Sequence, residues 1–145
     1  MNGQTDILRE ILGGGGAPRA RTSFWAYCHA VNPRFFRDDR PHLRELAGAL
    51  QALYERAPEK PGEAPRRGLI VNMPPRMGKS YTLSLFCQWA LGRNPAERIF
   101  AVSYNETLAA RFSRMVRNGV AATRTEGARP VFPDVFPGVA LQRGD

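Results

Sequence analysis

Gly78-Lys79-Ser80 brings together three residue types that can hold a polyphosphate. Glycine lets backbone N–H groups come close to an anion, a lysine ammonium reaches the outer phosphates, and a serine hydroxyl can ligate Mg²⁺. On ATP, Lys79 would meet the β- and γ-phosphates. In a chain with 14 glycines, random order produces Gly-Lys-Ser/Thr with a probability of only about 0.015, so the triplet merits a chemical reading. Lys79 is one of two lysines beside 19 arginines. A compact ammonium fits between phosphates where a planar guanidinium does not.

The approach to the triplet, "NMPPRMGKS" at 72–80, departs from the P-loop pattern G-x-x-x-x-G-K-[ST]. Met73 stands where the first glycine belongs, and Pro74 and Pro75 have no N–H to donate. The cradle must therefore come from the N–H groups of Arg76, Met77, Gly78, Lys79, Ser80 and Tyr81. Arg76 has two readings: a charge clamp that acts on phosphoryl transfer, or a loop arginine paired to a nearby carboxylate. Lys79 and Arg76 are the candidate catalytic residues, and Ser80 is the candidate Mg²⁺ contact.

Such a turn needs a strand before it and a helix after it. Gly68 to Met73, "GLIVNM", is a short apolar run after a breaker, which predicts a buried strand. "YTLSLFCQWALG" predicts a helix ending near Gly92. "RIFAVSY", 98–104, predicts a second strand. "NETLAARFSRMVRNG" predicts a helix closed by Gly119, with Ser103 and Glu106 as a capping box. The order strand, loop, helix, strand, helix predicts an α/β fold with a parallel sheet flanked by helices. Upstream, "TSFWAYCHAVNP" predicts a helix capped by Thr22 or Ser23 and stopped by Asn32-Pro33. A further helix follows Asp38-Asp39, with Pro41 in its first turn and an apolar stripe of Leu43, Leu46, Ala47, Leu50, Leu53 and Tyr54. Residues 1–12 can form a short helix. Gly13 to Gly16 and Ala17-Pro18-Arg19 predict a break, with order beginning near Thr22. The organisation expected is a flexible segment over 1–21, a helical segment over 22–67 and a phosphate-binding unit over 68–145.

Net charge is +8, which suits a polyanionic partner such as nucleic acid, although an arginine-rich coding bias would produce the same excess. No apolar run is long enough to span a membrane, and the polar start is unlike a secretory signal. Cys28 and Cys87 lie in apolar helical patterns and read as buried reduced thiols, with no metal spacing to His29 or His42. A cytoplasmic setting fits these thiols. Arg111, Arg114 and Arg117 share one side of the 105–119 helix, opposite Leu108, Phe112 and Met115. They read as a solvated face or as a contact to DNA or a neighbouring subunit. His42 and Tyr104 are open to a base-pocket role or a packing role. Phe24, Trp25 and Tyr27 read as core.

"PPRMGKS" resembles the Walker A segment Pro-Pro-Arg-x-Gly-Lys-Ser of the large terminase subunit of tailed bacteriophages. "SFWAYCHAVNPRFF", "PHLRELAGAL", "LFCQWALGRNP", "IFAVSYNETLAARFSRMVRNGV" and "VFPGVALQRGD" extend the similarity over about residues 22–145. The resemblance implies an ASCE-type P-loop ATPase that uses ATP and Mg²⁺ to drive double-stranded DNA into a procapsid. It implies a homo-oligomeric ring in the host bacterial cytoplasm, with the small terminase subunit and the portal protein as partners. Lys79 and Ser80 carry over as nucleotide and Mg²⁺ contacts, and Arg76 as the Walker A arginine. No Walker B carboxylate is found: Asp134 follows Val-Phe-Pro, Asp38 and Asp39 follow "RFFR", and Glu97 and Glu106 flank the second predicted strand. The nuclease domain of that family is also missing. The chain is therefore expected to be an N-terminal piece that does not hydrolyse ATP alone. The alternatives are a prophage remnant, a non-catalytic nucleotide- or nucleic-acid-binding fragment and, more remotely, a generic helicase.

Overall fold

The computed structural model describes residues 16–125 and 129–140. The described residues form six helices: α1 Gly16–Thr22, α2 Phe24–Val31, α3 Pro41–Tyr54, α4 Lys79–Arg93, α5 Glu106–Val120 and α6 Phe132–Val135. The predicted short helix at 1–12 lies outside the described residues.

The parallel sheet expected from the sequence is absent among the described residues, and the α/β, P-loop-type fold class is corrected accordingly to a helical one. A strand needs a neighbour to pair its N–H and C=O groups. No backbone–backbone hydrogen bond joins 68–77 or 98–104 to any other described residue. The first run keeps a strand's alternation of burial: Leu69, Val71 and Met73 pack on the core, while Ile70 is 90% exposed. The second does not: residues 98–104 are all exposed, with Phe100, Val102 and Tyr104 each 88% exposed or more. Apolar composition alone supplies no partner strand.

The core is built by helix faces. Phe24, Tyr27 and Cys28 of α2, Leu43, Leu46, Ala47 and Leu50 of α3, Leu85 and Trp89 of α4, Val120 of α5, and Phe132, Val135 and Phe136 at α6 form one buried cluster. Ser23 caps α2 by accepting from the Ala26 N–H at 3.3 Å, as its position before an apolar helix predicts. Pro41 begins α3, where its missing N–H has no intrahelical partner to lose. Gln51 of α3 ties this helix to the start of α2: its Oε1 accepts from the Phe24 N–H at 2.8 Å, and its Nε2 donates to the Thr22 carbonyl at 3.0 Å.

Two local expectations are corrected. Ala17-Pro18-Arg19 is not a break but the first part of α1. Proline is tolerated in a first helical turn, and tertiary contacts hold this one: Ala20 is buried, the Trp89 indole N–H donates to its carbonyl at 3.0 Å, and Arg21 Nε donates to the Val135 carbonyl at 2.6 Å. The cap of α5 is Asn105, whose Oδ1 accepts from the Thr107 N–H at 2.8 Å, rather than Ser103. Gly119 does not close α5 either. It lies inside the helix, where a Cβ would come within 2.1 Å of the Gln88 side chain of α4. That glycine lets α5 sit directly on Gln88, whose Oε1 accepts from the buried Tyr27 hydroxyl at 3.0 Å.

Candidate functional site

Residues 74–80 form a turn that runs straight into α4. Arg76 has φ 64 and Gly78 has φ 90, so two residues of the turn lie in the left-handed region. An L-residue such as Arg76 occupies that region at a cost. Alternation of ordinary and left-handed backbone turns successive N–H groups toward one side and makes an anion-binding concavity. Gly78 is the N-cap of α4 and provides no side-chain cap. The helix therefore begins with backbone donors that no side chain satisfies and with the positive end of a 15-residue dipole.

The neighbours of Gly78 explain its identity in a way the sequence did not suggest. A Cβ at Gly78 would stand 2.6 Å from Cζ of Phe35 and 3.3 Å from Cδ2 of Leu43. The bare Cα is thus needed on the core side of the turn, where Phe35 is seated, as well as for the positive φ. Phe35 in turn meets Tyr81 edge to face at 5.1 Å, and the Arg40 guanidinium lies 5.0 Å from the Phe35 ring centroid. The Tyr81 hydroxyl accepts from Asn32 Nδ2 at 3.2 Å, and Asn32 Oδ1 accepts from Arg129 Nη1 at 2.8 Å. Tyr81, predicted as a backbone donor, has a side chain that anchors the helix start to the α2–α3 connection. Inside the first turn of α4, the Thr82 hydroxyl donates to the Gly78 carbonyl at 2.9 Å.

Lys79 is half-buried, whereas Arg76, Met77 and Ser80 are exposed. Neither Lys79 nor Arg76 forms an ion pair among the described residues. The alternative that Arg76 serves a nearby carboxylate therefore finds no support. Two cations thus bracket Met77-Gly78 in a turn whose backbone is left-handed at 76 and 78, and residues 74–81 contain no acid. For Mg²⁺ the donor set is one hydroxyl, Ser80. A hard cation that wants six oxygens is not held by that alone. The described residues contain no group of three or more His, Cys, Asp or Glu that could hold a metal. The turn fits a phosphate, and a metal only as it would arrive on one.

Ser80 also opens a groove of roughly 620 Å³ between α4 and α5, with Leu83, Ser103, Leu108, Arg111 and Phe112 among its walls. This is within the size range of small-ligand sites. Arg111 therefore shares a groove with Ser80, while Arg117 borders a separate cavity of roughly 290 Å³ with Cys87 and Ile99. All three arginines of that face are exposed. His42 is half-buried in the first turn of α3 and Tyr104 is exposed. No hydrogen bond or ring contact links either to residues 74–81 among the described residues. Phe24 and Tyr27 are buried, as predicted for core, and Trp25 is half-buried beneath Arg44.

The candidate Walker B positions are engaged elsewhere or lie at the surface. Asp134 accepts from the Val131 N–H at 2.8 Å and pairs with Arg124. Asp39 pairs with Arg37, Asp38 with Arg44, and Glu97 accepts from Asn94 and Tyr54. Phe35, Asn32 and Arg129 were not anticipated as supports of the turn. Asn32 read only as a helix stop, and the Phe35-Phe36 pair was apolar without an assigned target. No protein-family model matches the chain, and no curated protein or solved structure matches it.

Proposed function

We propose that residues 74–81 bind the phosphates of ATP, with Mg²⁺ carried in on the nucleotide, and that the chain serves a motor of the large-terminase kind acting on double-stranded DNA. The feature that supports this most is the pairing of left-handed backbone at Arg76 and Gly78 with a 15-residue helix that has no side-chain cap and starts at Lys79, which has no ion-pair partner among the described residues. Backbone N–H groups at a turn and a helix N-terminus favour a phosphate by themselves, although the paired strand that the P-loop pattern calls for is not found among the described residues. In this reading the N–H groups of 76–81 and the Lys79 ammonium hold the β- and γ-phosphates. Ser80 offers its hydroxyl to the metal, and Arg76 stands over the outer phosphate. The resemblance adds a ring of like subunits, a small terminase subunit and a portal protein as partners.

Binding without turnover by this chain is the favoured form of the proposal. Hydrolysis needs a group that orients water, yet 74–81 contains no carboxylate and none is bonded to it among the described residues. Titration calorimetry with Mg–ATP on the whole chain is expected to show uptake that falls at least about tenfold in Lys79→Ala, the loss of a charge-assisted contact. Equal uptake by both proteins would remove the phosphate reading. Lys79-dependent phosphate release over many turnovers would remove only the claim of inactivity.

A further inference from the structure

A second cluster of cations, remote in sequence from Lys79, surrounds its own cavity. Arg56, Arg66 and Arg67, with Leu53 and Pro65, line a space of roughly 420 Å³ beside the end of α3. Arg66 Nε is buried and has no hydrogen-bond partner among the described residues. None of the three guanidinium groups forms an ion pair or a side-chain hydrogen bond there. The acids of the same stretch do not serve them. Glu55 is engaged by Arg93 and Gln51, and Glu59 and Glu63 are exposed without ion pairs. Arg56 is held at φ 53, with its N–H bonded to the Leu53 carbonyl at 3.1 Å. Folded proteins rarely leave a buried donor such as Arg66 Nε unmatched, and the exposed Arg56 and Arg67 add positive charge at the mouth of the same space.

We propose that Arg56, Arg66 and Arg67 form a binding site for a phosphate oxyanion of a nucleic-acid backbone. Guanidinium forks match the geometry of phosphate oxygens. Leu53 and Pro65 give the cavity an apolar side, which suits the sugar carbons of a phosphodiester better than a bare ion. The net charge of +8 favours the approach of such a polyanion. This site does not rest on nucleotide binding at 74–81.

The test uses the whole chain, a fluorescein-labelled short double-stranded oligonucleotide, and inorganic phosphate. The Arg66 Nε–H resonance is followed by ¹H–¹⁵N NMR, and affinity by anisotropy or calorimetry. The oligonucleotide is expected to shift that resonance, and to bind about tenfold more weakly to Arg66→Lys/Arg67→Lys, which keeps the charge and loses the fork. A shift with the oligonucleotide, alone or at lower concentration than with phosphate, supports the nucleic-acid backbone, whereas a shift with phosphate alone, or at lower concentration than with the oligonucleotide, overturns that assignment in favour of the free ion. An unmoved resonance with both probes, measured on the wild-type chain, would overturn the site. So would a lysine double variant that folds and binds like the wild type.

Discussion

Gly78 carries two demands at once: its φ of 90 and the Phe35 ring 2.6 Å from where a Cβ would stand. Gly78→Ala is expected to destabilise the chain by about 2–4 kcal/mol, combining left-handed strain with overpacking. Adding Phe35→Leu is expected to return the steric part and leave about 1 kcal/mol, read from the midpoints of urea unfolding curves. If the double variant is no more stable than Gly78→Ala alone, Phe35 is not the obstacle. Lys79 differs from Gly78 in this respect. It has no partner among the described residues, so its loss should affect anion binding and leave stability nearly unchanged. The Gly-Lys-Ser triplet was readable because its chemistry is local. The reason for the glycine was not, because Phe35 lies 43 positions earlier in the chain.

Among the elements, legibility followed how local the stabilising contacts are. α2 and α3 could be read from Ser23, Pro41 and the apolar stripe of Leu43 to Leu50, since caps and stripes act within a few residues. The run at 68–73 was legible in its alternation and neither it nor the run at 98–104 in its pairing, which depends on a backbone that no local residue supplies. α1 escaped notice because glycine and proline counted against it locally, while Trp89 and Val135, far along the chain, hold it in place. The cap of α5 offers a clean check. Asn105→Ala is expected to cost about 1 kcal/mol and Ser103→Ala close to nothing, measured as the shift in thermal midpoint. The reverse order would restore Ser103 as the cap.

Over the whole molecule, the buried cluster links the six described helices, and the buried titratable groups, Tyr27 and Cys28 within it and Cys87 outside it, resist ionisation. Burial pushes the Cys28 and Cys87 thiols above the ordinary value of 9.0 and raises the Tyr27 phenol well above its own. Raised folded values mean that the native state keeps protons the unfolded chain has lost. The associated stability is therefore complete below about pH 8–9 and declines as pH rises further. Urea midpoints are expected to fall between pH 8 and 10 (roughly the range of free thiol and phenol ionisation), and both thiols should resist a thiol reagent until denaturant is added. A midpoint that is flat or rising over that range would contradict this. The contact between the Trp89 indole and the Ala20 carbonyl has a practical corollary. A shortened chain beginning at Thr22 would strip that indole of its acceptor and uncover its ring. Its fluorescence emission should shift to longer wavelength and its melting should broaden, so the first useful boundary for expression lies ahead of Gly16.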